Sequence, residues 1–322
     1  MPACAGMTRG GWGRGKIAFI FPGQGSQEVG MGSDFVDDSR TKELFLKAND
    51  ILGFDIKGLC LNGPVESLNL TENTQPAILL VSAAANLLLS EAGIKADYLA
   101  GHSLGEYSAL MSAGAITFEE AIAVVRKRGQ FMQEAAPVGS GAMAAIIGLS
   151  GEEILAICKS DDLPGFVRPA NYNSPIQTVI SGDKAAVEEV CKLATEEGAK
   201  RAIMLPVSAP FHTPLIKEAE IRLAGELDRL DFKDPIRPII TNVDAVACSS
   251  GGEARESLKR QVCSPVRWVE SIQYLLSEGV DTFIEVGPGK ILCGLVKRID
   301  KEAKTLNVAD KDSLEKTLKE LL

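Results

Sequence analysis

The chain has 322 residues, of which 45% are hydrophobic, 24% charged and 5% aromatic; that length buries a sizeable core without staples, and the composition excludes disordered and collagen-like classes. Lys and Arg total 34 against 43 Asp and Glu, a formal charge of −9, which denies the protein the global positive field of a nucleic-acid binder. Seven cysteines are scattered without a C-x-x-C pair, so neither a zinc site nor a disulfide framework is expected, and a reducing, cytoplasmic setting is.

Residues 1–15, MPACAGMTRGGWGRG, are Gly-rich and lack an apolar stretch. They read as a disordered extension rather than a secretory signal. Order begins at Lys16, where KIAFIF is a short β-prone run that stops at Pro22-Gly23, a buried strand entering a loop. That loop sets Gly23 and Gly25 around Gln24. It has neither the third glycine of a dinucleotide fingerprint nor the Gly-Lys-Ser/Thr of a P-loop, and alone it reads as an ordinary connection. Dense apolar residues without β-branched enrichment predict a buried helix from Gln75 to Glu91. Its longest apolar run, Ala77 to Leu89, is too short to span a bilayer and contains Asn86, so no membrane partner is expected. Asp97 to Ala100 reads as a strand, followed by Gly101-His102-Ser103-Leu104-Gly105 and the helical segment EYSALMSAG. Thr117, with Glu120 three residues on, forms a capping box for a helix reaching about Ala135.

From 137 to 208 the pattern changes. GAMAAIIGL, FVRPANYNS, QTVISGD and KRAIMLPVS read as strands, and GEEILAICKS and KAAVEEVCKLATEEGA as helices. The order β-α-β-β-α-β is a ferredoxin-like signature. The expected fold class is therefore α/β: a large α/β-hydrolase-like domain (16–136 plus 209–322) with a parallel sheet, and an inserted ferredoxin-like subdomain at 137–208. Beyond the insert, PIRPIITNV and DTFIEVG read as strands and SPVRWVESIQYLLSEG as a helix.

Gly101 to Gly105 is a G-x-S-x-G between a predicted strand and a predicted helix. The glycines permit a tight turn that exposes Ser103 Oγ, and the following helix aims its first amides at the same place, making the Leu104 N–H a natural oxyanion donor. A serine nucleophile needs a base, and the chain has two histidines. His102 adjoins the serine, so its side chain should point away; elimination favours His212, held between Pro210 and Pro214 on a stiff loop. No carboxylate between Ser103 and His212 stands in an obvious loop-end position, so main-chain carbonyls could orient the ring instead, as a Ser-His dyad. With free-imidazole behaviour the base would titrate near 6.5.

FPGQGSQ, GHSLGEYSAL, RGQFMQEA, the NSP of the insert, PFH, QVCSPVRW and EVGPGKIL occur in one order along the chain. With these motifs the sequence resembles the malonyl-CoA:acyl-carrier-protein transacylases, the acyltransferases of type II fatty acid synthesis, from Lys16 to about Asp300. The resemblance implies that Ser103 is acylated, that His212 is its base, and that the Gln24 and Leu104 amides form the oxyanion hole. It implies further that the Gln261 carbonyl orients the histidine and that Arg128 binds the malonyl carboxylate. Spacing alone would make Arg128 a surface residue beside Arg126 and Lys127. Phe211 resembles the residue found in malonyl-selective members. Malonyl-CoA and acyl carrier protein are the implied partners, with no metal and no bound cofactor. Three other readings are a polyketide-pathway acyltransferase, which shares these motifs, a serine hydrolase, which would lack the arginine clamp, and a non-catalytic carrier-protein-binding module, which would be expected to have lost Ser103 or His212.

Overall fold

The computed structural model describes residues 15–136, 139, 141–207 and 209–322. Of the extension expected at 1–15 only Gly15 is among them, and the two ends of the expected insert, 137 and 208, lie outside the described residues. The strands are β1 (Lys16–Phe21), β2 (Tyr98–Gly101), β3 (Gly141–Ile147), β4 (Val167–Ser174), β5 (Gln177–Asp183), β6 (Arg201–Met204), β7 (Ile239–Ile240), β8 (Ala247–Cys248), β9 (Val280–Val286) and β10 (Lys304–Val308).

After the exposed Lys16, KIAFIF is apolar because β1 sits inside a sheet covered on both faces. The six-stranded sheet runs β10-β9-β1-β2-β7-β8, and all its pairs are parallel except β7 with β8. Alternation divides β1 between two cores: Ile17, Phe19 and Phe21 pack with Ile78 and Leu79 of the helix Thr71–Glu91, whereas Ala18 and Ile20 pack with Trp268 and Ile272 of Trp268–Ser277 and Leu295 of Ile291–Ile299. Thr71–Glu91 is apolar around most of its circumference, as expected of a helix enclosed by its neighbours.

The second sheet is antiparallel in the order β4-β5-β3-β6. Ala142, Ala144 and Ile146 of β3 face a separate core with the helices Gly151–Ile157 and Lys184–Glu196. Met143 and Ala145 turn the other way, toward the larger core. Strand β4 is tied to the segment before Trp268–Ser277 where the Tyr172 N–H donates to the Val266 carbonyl at 2.9 Å and the Val266 N–H to the Ala170 carbonyl at 2.8 Å.

Several boundaries differ from the sequence expectation. The predicted helix at Gln75 starts earlier, at Thr71, with Pro76 inside it. PIRPIITNV contributes only Ile239–Ile240 to the sheet, since Pro235 and Pro238 have no N–H for a ladder. Three helices (Lys42–Leu52, Ile56–Asn62 and Val65–Leu68) fill a stretch with no predicted elements. The Thr117 capping box is present, Thr117 accepting from the Glu120 N–H at 3.2 Å. Among the described residues no helix is long and apolar enough to cross a membrane, and no group of three or more His, Cys, Asp or Glu could hold a metal.

Candidate active site

Between β2, which ends at Gly101, and the helix Gly105–Ser112 the chain must turn within His102 to Leu104. Ser103 takes up that reversal with φ 51°, a left-handed conformation that costs a residue bearing Cβ on the order of 1–3 kcal/mol. Both glycines are demanded by contact: a Cβ on Gly101 would lie 1.9 Å from the Gly105 carbonyl carbon, and one on Gly105 would lie 2.0 Å from the Phe21 carbonyl oxygen. The turn presents Ser103 to a cavity of about 490 Å³ whose lining includes Gln24, Leu104, Arg128, Phe211 and His212, with Met143, Ala145 and Val179 of the antiparallel sheet opposite.

His212 is also left-handed, at φ 60°, and is buried. Its Nε2 lies 2.8 Å from Ser103 Oγ. Its Nδ1 lies 3.0 Å from the main-chain carbonyl oxygens of both Gln261 and Ser264. Carbonyls only accept, so Nδ1 carries the proton and Nε2 offers its lone pair to the serine hydroxyl. The ring's hydrogen-bond partners include no carboxylate among the described residues, which is the dyad arrangement.

Burial, reinforced by the nearby Arg128 charge, pushes the His212 pKa down to about 3, far below the 6.5 expected of a free imidazole. The ring is therefore neutral, and competent as a base, across the physiological range. In an NMR titration His212 should stay neutral down to about pH 5, and a midpoint near 6.5 would show a ring open to water. Unfolded histidine binds its proton near 6.5, so the stability contributed by the neutral ring is present above that pH and drains as pH falls toward 3.

Arg128 is 1% exposed, which corrects the surface placement that spacing alone suggests. It shares the buried face of the helix Phe118–Glu134 with Ala121, Val125 and Met132. Its Nη2 donates to Gln261 Oε1 at 2.9 Å and to Ser103 Oγ at 3.1 Å, and its Nη1 donates to Gln75 Oε1 at 2.7 Å. Burial lowers its pKa, but a guanidinium stays cationic in a protein. Its hydrogen-bond partners among the described residues are neutral oxygens, with the buried Glu106 carboxyl near enough to act on it through space but not bonded to it, so the cation beside the serine has no direct carboxylate partner.

Residues 18–315 match the family model of the acyl transferase domain. The chain belongs to that acyltransferase family. It is 48% identical over 310 residues to the malonyl CoA-acyl carrier protein transacylase of Bacillus subtilis (strain 168), covering 95% of this chain and 98% of the relative. Identity to the protein of the same name from Escherichia coli (strain K12) is also 48%, over 287 residues, 88% of this chain and 93% of that one. The solved malonyl CoA-acyl carrier protein transacylase of Coxiella burnetii superposes with a TM-score of 0.93 at 44% identity, covering 95% and 98% of the two chains. A structure described as a type II PKS acyl-carrier protein in complex with its malonyl-transacylase matches with a TM-score of 0.92 at 43% identity, over 95% of this chain and 99% of that one.

In this acyltransferase His102 turns away from the serine. Its Nε2 lies 2.8 Å from Asn173 Oδ1 and its ring packs near Trp268, with centroids 5.5 Å apart. Gln24 and Leu104 both border the cavity, and among the described residues neither N–H donates to a protein acceptor. Phe211 is buried in the cavity wall beside His212. Gln261 does more than present a carbonyl: its side-chain nitrogen donates to the Ser103 carbonyl at 3.0 Å and to Glu106 Oε2 at 2.8 Å.

Several residues of the site carry no sequence-assigned role. Gln75 receives Arg128, Asn173 receives His102, and Asn242 and Glu106 hold the serine turn. Only Glu106 had a local signal, as an acidic residue in a short helix otherwise built of small and apolar groups. Burial pushes its carboxyl pKa up to about 7.

Proposed function

We propose that this chain transfers a malonyl group from malonyl-CoA to the phosphopantetheine thiol of acyl carrier protein, through a malonyl ester on Ser103, in fatty acid biosynthesis. One observation carries the reading: Ser103 Oγ lies 2.8 Å from an unprotonated imidazole nitrogen and 3.1 Å from a buried guanidinium nitrogen. Nucleophile, base and anion receptor thus converge on one oxygen. The malonyl CoA-acyl carrier protein transacylases among its relatives support the substrate pair.

In the first half-reaction Arg128 holds the free carboxylate and Ser103 Oγ attacks the thioester carbonyl carbon while its proton passes to His212 Nε2. The Gln24 and Leu104 amides receive the oxyanion. Collapse breaks the carbon–sulfur bond, and the imidazolium returns the proton to the departing CoA sulfur. The second half runs in reverse: the carrier thiol gives its proton to His212, its sulfur attacks the ester, and Ser103 leaves as the hydroxyl. Main-chain carbonyls suffice for His212 because they stabilise the N–H at Nδ1 through both halves. The protein's own groups complete this sequence, and the reading assigns no metal or bound cofactor. Phe211 would fill the space that a 2-methyl group needs, a preference of about 1–3 kcal/mol for malonyl.

The same reading takes 16–136 plus 209–322 as the large, α/β-hydrolase-like catalytic domain and 137–208 as a ferredoxin-like insert, supported by the β4-β5-β3-β6 order. A cytoplasmic location rests on the free cysteines, Cys60, Cys158, Cys191, Cys248, Cys263 and Cys293.

Intact-mass measurement after mixing with malonyl-CoA should show one malonyl adduct, stable in water and discharged on adding carrier protein bearing its thiol. Rapid discharge to water alone would make the protein a hydrolase. The second reading, a polyketide-pathway acyltransferase, is favoured by the match to a malonyl-transacylase bound to its type II PKS carrier. Discharge to a polyketide carrier much faster than to a fatty-acid carrier would select it.

A further inference from the structure

The turn that bears the nucleophile is held from outside by groups the mechanism above does not use. The Ser103 N–H donates to Asn242 Oδ1 at 2.7 Å, and the Ser103 carbonyl accepts from Gln261 Nε2 at 3.0 Å. Both peptide groups flanking its left-handed φ are therefore tethered to side chains from distant segments. These two tethers meet at one atom. The Asn242 main-chain N–H and Gln261 Nε2 both donate to Glu106 Oε2, at 2.9 Å and 2.8 Å. Asn242 is braced again through Nδ2, which donates to the Gly101 carbonyl at 2.6 Å.

Glu106 lies on the first turn of the helix behind the nucleophile and is 1% exposed. Its second oxygen, Oε1, has no hydrogen-bond partner among the described residues. A buried carboxylate satisfied on one side only is an expensive choice if the aim is stability alone. What it secures is geometric. Gln261 touches the serine carbonyl through Nε2, Arg128 through Oε1 and His212 through its main-chain oxygen. Restraining that one glutamine restrains the orientation of all three groups.

We propose that Glu106 is a positioning residue for acyl transfer: its Oε2 locks Asn242 and Gln261 together, and through them fixes Ser103 in its strained turn facing His212. Glu106 touches neither substrate nor reacting atom. The proposal rests on the reading of Ser103 and His212 as the reacting pair.

The test is single-turnover acylation of Glu106→Leu, Glu106→Gln and Asn242→Ala, followed by mass and compared per folded protein. Misplacing a reacting group by about an ångström costs about 10²-fold, so Glu106→Leu should lose about that much in the acylation rate constant, with KM within about threefold. Acetyl-CoA should fall alongside malonyl-CoA, because the misaligned nucleophile is common to both. Glu106→Gln can set its amide oxygen where Oε2 stands and accept the same two bonds, so it should recover to within about tenfold of wild type. Asn242→Ala frees the Ser103 N–H and should lose rate in the same way; it tests the proposal even if Glu106→Leu does not fold. Rates within about threefold of wild type for Glu106→Leu or Asn242→Ala would overturn the proposal, as would a loss confined to KM. A Glu106→Gln variant as slow as Glu106→Leu would also overturn it, because accepted hydrogen bonds would then not be what matters. Failure of the underlying reading looks different: the wild-type protein itself would carry no adduct on Ser103.

Discussion

Ser103→Ala should abolish the covalent malonyl adduct and lower carrier malonylation by about 10⁶-fold, the scale on which loss of a serine nucleophile acts. Its Oγ alone stands 2.8 Å from the lone pair of His212 Nε2 and within reach of the Arg128 cation. The variant should keep its fold. Alanine at φ 51° pays the same conformational cost as serine, and the tethers to Asn242 and Gln261 run through main-chain atoms that alanine retains. Intact mass and a thermal melt on one preparation separate the two effects. An adduct that persists, mapped to another residue, would sink the nucleophile assignment. Cys263 would be a poor substitute, its thiol pKa pushed up to about 12 by burial.

For Arg128→Ala the expected result is a loss of about 10²–10³-fold in kcat/KM for malonyl-CoA, the scale of removing a charge-assisted bidentate pair. A malonyl carboxylate that enters the cavity gives up hydration, and without the guanidinium nothing replaces it. Acetyl-CoA has no carboxylate to strand, so its poor reaction should hold or improve, and the ratio of the two substrates should collapse or invert. The acetyl measurement is needed because Arg128 also holds Gln261 Oε1 at 2.9 Å. If the two substrates lose equally, the arginine merely supports the glutamine, and the carboxylate assignment fails. This selective pattern also contrasts with the loss common to both substrates expected for Glu106→Leu.

Much of this was legible in local sequence. KIAFIF reads as a strand buried on both faces because it has no polar alternation, and β1 is central in the sheet. The alternation of elements after 137 matches the β3 to β6 order along the chain because each amphipathic period records which face is covered. The serine turn shows in the spacing of its glycines, since only glycine tolerates approaches of 1.9 Å and 2.0 Å measured from a would-be Cβ. Even the burial of Arg128 was accessible in principle: it recurs with Ala121, Val125 and Met132 on one helical face, although two neighbouring cations made it look solvated.

Tertiary structure alone decided the rest. Glu106 meets Asn242 across 136 positions and Gln261 across 155, and no local period encodes a contact between segments so far apart. These contacts exist because parallel strands return the chain to the same sheet edge by long crossovers, gathering the ends of β2, β7 and the helix Gly251–Gln261 around one turn. The choice of carbonyls over a carboxylate for orienting His212 was open for the same reason. Its pKa was out of reach as well: residue type sets only the starting value near 6.5, while the fall to about 3 comes from the water removed around the ring and from the guanidinium brought beside it.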